Sequence, residues 1–117
     1  MRAPTYFIFA ALLDGPLHGY AIIKRAEELS DGGVRMTAGT LYGALDRLSR
    51  EGLIADEGQE IVDGRARRYY RLTDSGLSAL EAEAARMSKA AAVVRKSSRV
   101  AASRGGSQPV KPRPEMA

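Results

Sequence analysis

Residues 36–52 read MTAGTLYGALDRLSREG, and they specify a capped, two-faced helix. The Thr37 hydroxyl can accept a backbone N–H that the first helical turn leaves without a partner, and Gly52 is a natural stop. On a wheel of about 100° per residue, Ala44, Leu45 and Leu48 fall within roughly 60° of Leu41. That side is built for a core. Gly39, Thr40, Gly43, Asp46, Arg47 and Arg50 fall on the other, a narrow surface that is cationic at one end and nearly free of bulk. Such a helix suits a groove.

Toward the N-terminus, Pro4 starts a first helix whose residues 5–13 are apolar nearly all round, which calls for contacts on more than one side, a second subunit among them. Asp14, Gly15 and Pro16 break it. A second helix runs from His18 or Gly19 to Ser30, with Tyr20, Ile23, Ala26 or Glu27, and Leu29 as its core face and Lys24, Arg25 and Glu28 in solvent. Beyond Gly52, a strand begins near Ile54. Asp63-Gly64 then makes a tight hairpin turn, since both residues take positive φ at little cost. In the return strand, 65–72, Arg67, Tyr69 and Arg71 point one way and Ala66, Arg68, Tyr70 and Leu72 the other. With arginine on both faces the hairpin is an exposed wing, braced by its tyrosines.

Thr73 can cap a last helix in which Leu77, Leu80, Ala84, Met87, Ala91 and Val94 recur at spacings of 3, 4, 3, 4 and 3. So small a body cannot cover that stripe along its length, so a second copy of the chain is the expected partner. The predicted fold class is mainly α with a small β-hairpin: a winged helix-turn-helix domain over 1–73, a dimerisation helix over 74–96, and a tail over 97–117. The tail is basic and has the composition of a disordered segment.

The chain has 117 residues, a net charge of +4 and no cysteine, which fits a single small domain in the cytoplasm. No apolar run approaches the roughly 18 residues of a membrane span. The charge is unevenly placed: residues 95–117 carry a net of +5 and residues 1–94 a net of −1. A nucleic-acid reading of the body therefore rests on local clusters, above all Arg65, Arg67, Arg68 and Arg71.

Enzyme chemistry finds little support. The lone His18 without cysteine leaves no His/Cys metal cluster, and there is no nucleophile elbow or phosphate loop, so no catalytic residue, metal or cofactor is expected. His18 reads as a local capping group, and Glu27, Glu28, Asp56, Glu57 and Glu60 as solvated faces. Double-stranded DNA accounts for more. Arg47 and Arg50 have forked donors for guanine or phosphate. Gly39 and Gly43 each cost a helix about 1 kcal/mol relative to alanine, which a close approach of backbone to DNA would explain. Thr40 and Tyr42 can offer hydroxyls to phosphate, and Arg65, Arg67 and Arg68 can follow the backbone.

Several stretches, LLDGPLHGYAI at 12–22, TAGTLY at 37–42 with ALDRL and EGLI after it, and GRARRYYRLTDSG at 64–76, strongly resemble the PadR-like transcriptional regulators. The resemblance covers roughly residues 8–80 in the expected order. It implies a winged-helix repressor of a palindromic operator, a homodimer held by its C-terminal and N-terminal helices, with Tyr42 and the helix 38–51 in the major groove and the 61–71 hairpin as the wing. The sequence departs at Gly43, where the family often has proline. Some relatives bind aromatic or drug-like ligands at the dimer centre. For such a small-molecule inducer this chain offers no Trp and no aromatic residue after Tyr70. The competing reading is a winged-helix adaptor that binds protein without specific DNA binding, in keeping with the near-neutral body.

Overall fold

The computed structural model describes residues 1–105, with side chains to residue 99. Pro4 lies in the first turn of α1 (Ala3–Ala11), where its missing N–H would have had no partner. Gly15, at φ +140°, turns the chain into β1 (Leu17–His18), a two-residue strand that no sequence pattern announces. His18 then caps α2 (Gly19–Leu29), Nδ1 accepting the N–H of Ala21 at 3.4 Å. The core face of α2 matches the expected one at Ala26, which is buried, and at Ile23, which packs against the core, and differs at its ends. Gly19, Ile22 and Ala26 are buried, whereas Tyr20 is 72% exposed and Leu29 is also exposed. The stripe begins one residue earlier than hydrophobicity suggests, because a glycine, which carries no apolar signal, occupies its first position.

α3 (Ala38–Arg50) follows its sequence closely. Thr37 Oγ1 accepts the N–H of Thr40 at 3.2 Å, and Leu41, Leu45 and Leu48 are buried. β2 (Ile54–Val62) and β3 (Arg65–Leu72) are joined by Asp63 and Gly64, both at positive φ. β3 is the central strand of an antiparallel sheet in the order β1-β3-β2, with Leu17 opposite Tyr70 and His18 opposite Tyr69. The β2–β3 register shifts between Asp56 and Gly58, a bulge in which Gly58 takes φ +115° and donates its N–H to Asp56 Oδ1 at 2.8 Å.

Thr73 fixes the start of α4 (Asp74–Gly105). Its hydroxyl accepts the N–H of Gly76 at 3.0 Å and donates to the carbonyl of Gly52 at 2.7 Å, tying the end of α3 to the start of α4. The core gathers Ile8, Phe9 and Leu12, Ile22, Leu41, Leu45 and Leu48, Ile54 and Leu80. Each such side chain contributes roughly 1.5–3 kcal/mol by leaving water.

The described chain divides into two compact units, Met1–Ala84 and the remainder from Ala85. The boundary expected after residue 73 thus falls within the first unit, because Ala79 and Leu80 pack into the domain core. Leu80 is 5% exposed and belongs to the protomer's own interior, apart from the rest of the expected dimerisation stripe. α4 also runs past the expected end at residue 96, to the last of the described residues: Ser97 and Ser98 do not stop it. The part of the expected tail at 106–117 lies outside the described residues. Among those described, no helix is long and apolar enough to cross a membrane.

Candidate nucleic-acid interface

The free face of α3 is built as the sequence suggested. Gly39, Thr40, Gly43, Arg47 and Arg50 are all exposed, and a β-carbon on Gly39 or Gly43 would meet open space. Those glycines are not required by packing within the chain. Thr37 uses its hydroxyl locally, capping the helix and donating to Thr40 Oγ1 at 3.1 Å, which leaves the Thr40 hydroxyl hydrogen for a partner.

The two helix arginines are held differently. Arg47 reaches back to α1, donating to Thr5 Oγ1 at 3.3 Å, and not to the neighbouring acids Asp46 or Glu51. Arg50 pairs with Asp46, one turn earlier, at 3.2 Å. Both contacts are exposed and worth about 1 kcal/mol or less, so either guanidinium can exchange its partner readily.

The wing arginines are more engaged than the sequence implied. Arg68 pairs with Asp56 and donates to Gln59 Oε1 at 3.3 Å. Arg71 pairs with Glu57 at 2.8 Å. Asp56 and Glu57 are therefore not the merely solvated acids expected: the bulge carries these consecutive carboxylates to two different arginines. The Gly58 N–H first, and Arg68 with it, holds the Asp56 carboxyl below the ordinary carboxylate range. Arg67 stands 3.2 Å from His18 Nε2, and Arg65 at the hairpin tip has no ion pair among the described residues.

A cleft of about 390 Å³ opens between the wing and the starts of α2 and α3. His18, Tyr20, Tyr42, Arg65, Arg67 and Arg68 line it. Tyr42 is 50% exposed, with its ring against the backbone of Gly19. Tyr69 packs edge-on against His18, centroids 5.5 Å apart, and half-buried Tyr70 joins the core, so both tyrosines brace the hairpin. Burial and the neighbouring Tyr42 push the Tyr70 phenol up, keeping it neutral. Sequence reasoning missed Tyr20 and the placement of His18 in this cleft. The signal was present in His18-Gly19-Tyr20, where the glycine takes the buried position and turns the tyrosine outward.

Three helices, the third with a free face beside a basic hairpin, define a winged helix-turn-helix protein. Residues 8–82 match the Transcriptional regulator PadR-like family, and the chain belongs to it. It is similar to transcriptional regulator Rv3488 of Mycobacterium tuberculosis, 48% identical over 67 residues that make up 57% of this chain and 59% of that one. An uncharacterised protein in transposon Tn4556 of Streptomyces fradiae is 40% identical over 82 residues, 70% of this chain and 22% of its own. The chain thus spans less than two thirds of the length of either relative. Among solved structures, Bacillus subtilis PadR in complex with operator DNA superposes with a TM-score of 0.61 at 30% identity, over 69% of this chain and 45% of that one. A PadR family regulator from Eggerthella lenta gives 0.63 at 34% identity, over 79% and 78%.

Proposed function

We propose that this chain is a dimeric repressor of a palindromic operator. α3 enters the major groove, where Thr40, Tyr42, Gly43, Arg47 and Arg50 meet DNA, and the hairpin 61–71 lies along the backbone through Arg65, Arg67 and Arg68. Thr37 positions the helix by capping it. The observation that carries this reading is the free face of α3: it is exposed along its whole length, lacks bulk where Gly39 and Gly43 stand, and holds its arginines only by weak surface contacts. The likeness to a regulator solved with operator DNA supports it.

Residues 1–73 would carry the DNA contacts and 74–96 the dimer contacts, with Leu77, Ala84, Met87, Ala91 and Val94 meeting a second copy. Paired recognition helices would then stand about one helical turn, roughly 34 Å, apart. Dimerisation matters because the body has so few uncommitted charges: two weak half-sites bind together far better than one.

Gel-shift titrations with fragments of the source genome test this. Arg50→Ala should weaken the preferred fragment by about 1–3 kcal/mol, and Arg65→Ala should weaken all fragments alike and lower the salt slope by about one. Variants that bind every fragment as tightly as the parent sink the groove reading. A monomer without salt-dependent affinity for DNA favours the adaptor.

A further inference from the structure

The row of α3 that stands farthest from the core carries an acid. Leu41, Leu45 and Leu48 are buried, and at about 100° per residue Gly39, Gly43, Asp46 and Arg50 fall within roughly 40° of the line opposite Leu41. The two glycines leave the first half of that row bare. Asp46 and Arg50 fill the second half, with both side chains 72% exposed. An arginine bound for a groove is simple to account for, but a carboxylate there is repelled by the phosphates and can only accept hydrogen bonds. Its use in a major groove is to accept from a base amino group. Cytosine suits it best, because N4 donates there with no acceptor nitrogen on the same edge.

The contacts of the pair fit that use. Arg50 donates through Nε to the Asp46 carbonyl at 3.4 Å, and its Nη2 stands 3.2 Å from Oδ2. Nη1 is left for a base edge, and among the described residues Oδ1 of Asp46 has no partner. Nearby cations are engaged elsewhere, Arg47 with Thr5 and Arg68 with Asp56. We propose that Asp46 is a specificity-determining residue, which accepts from N4 of a cytosine one base pair away from the guanine that Arg50 takes. The pair carries no net charge, so it adds little to the binding of unmatched DNA. At a mismatched step the carboxylate meets the N7, O6 or O4 acceptors of the other bases and is repelled. This assignment rests on the groove reading of α3 and adds to it a discriminator that works by rejection.

The test is selection of bound duplexes from a randomised library by the full chain, followed by anisotropy with the enriched duplex and a mixed-sequence one. The parent should enrich a cytosine next to a guanine in each half-site, and exchange of that cytosine for thymine should weaken binding about tenfold. Asp46→Ala should cut that penalty to about twofold or less, and should bind the mixed-sequence duplex roughly two- to fivefold more tightly because a repelled charge has gone. Asp46→Asn has an amide that both accepts and donates, so its preference should move to adenine. Both substitutions lie in solvent and leave the core untouched. Variants that recover the parent's motif unchanged, or that weaken every duplex alike, overturn the assignment while the DNA reading stands. If the parent enriches no sequence at all, the groove reading fails and the role of Asp46 fails with it.

Discussion

The Tyr42 ring on α3 lies against the backbone of Gly19 at the start of α2: a β-carbon on Gly19 would stand 2.8 Å from its Cζ, and closer still to its hydroxyl. Two helices are thereby set at the separation of a peptide backbone and a phenol. In an ordinary helix, alanine is favoured over glycine by about 1 kcal/mol. Gly19→Ala should act against that preference, forcing Tyr42 outward. We expect the melting temperature to fall, or to stay unchanged with DNA affinity down at least about tenfold as the phenol leaves its place. A variant that is both more stable and fully competent would remove the contact from the account.

Gly76 is the harsher case. A β-carbon there would collide with the carbonyl oxygen of Leu53 and stand 2.7 Å from Cδ1 of Leu72. The oxygen belongs to backbone that also accepts the N–H of Thr73, so it cannot yield without loss. Gly76→Ala should destabilise the fold by about 1–3 kcal/mol in urea titrations despite alanine's better helix propensity.

Two positions on the same heptad stripe should respond differently. Leu80 is inside the domain core, so Leu80→Ala should cost about 2–5 kcal/mol of stability at any protein concentration. Val94 is 65% exposed and Met87 38%. Val94→Asp should leave the fold of Met1–Ala84 intact and shift the mass seen by light scattering toward the monomer. An unchanged mass would exclude Val94 from the dimer contact.

Acid should loosen the wing through Asp56. Its carboxyl titrates below the ordinary 3.8 in the folded chain, because Gly58 N–H and Arg68 favour the ionised form. A depressed acid stabilises the fold above its unfolded pKa, and that contribution disappears as pH falls through the lower, folded value. The stability difference between parent and Asp56→Asn should therefore be largest near neutrality and vanish in strong acid. Equilibrium unfolding at a series of pH values reads it. His18 acts in the same direction for a different reason: burial, and then the charge of Arg67, disfavour its charged form, so the folded chain loses stability as pH falls through 6.5, a loss His18→Asn should abolish.

Where an element combined a periodic apolar face with end signals, it was legible in the residues. α3 had both, and Thr37, Leu41, Leu45, Leu48 and the open glycine face stand where the pattern put them. Asp63-Gly64 marked the hairpin through its own chemistry. β1 was hidden because two residues make no pattern and its pairing depends on Tyr69 and Tyr70 fifty positions away. α2 was legible at Ile23 and Ala26 but misread at its start, because burial selected Gly19, the residue with least to bury, over Tyr20. Leu80 could not be told from its heptad neighbours by spacing alone, since one stripe first meets the core and then leaves it. The pairing of Arg68 with Asp56 and Arg71 with Glu57 needed the register, and the register turns on a bulge at Gly58 that the composition of the strand does not specify.

On the proposed reading, in which the wing lies along the DNA backbone, those two pairs make the wing its own competitor for DNA. A phosphate that takes Arg68 or Arg71 displaces Asp56 or Glu57, and each stranded carboxylate gathers a cation from solution as the duplex gives one up. For these two arginines the ion count nearly balances. The salt dependence of binding would thus register Arg47, Arg65 and Arg67 and pass over Arg50, paired with Asp46, and half of the basic strand, so that a shallow slope would signify exchange of one anion for another, and not a shortage of contacts.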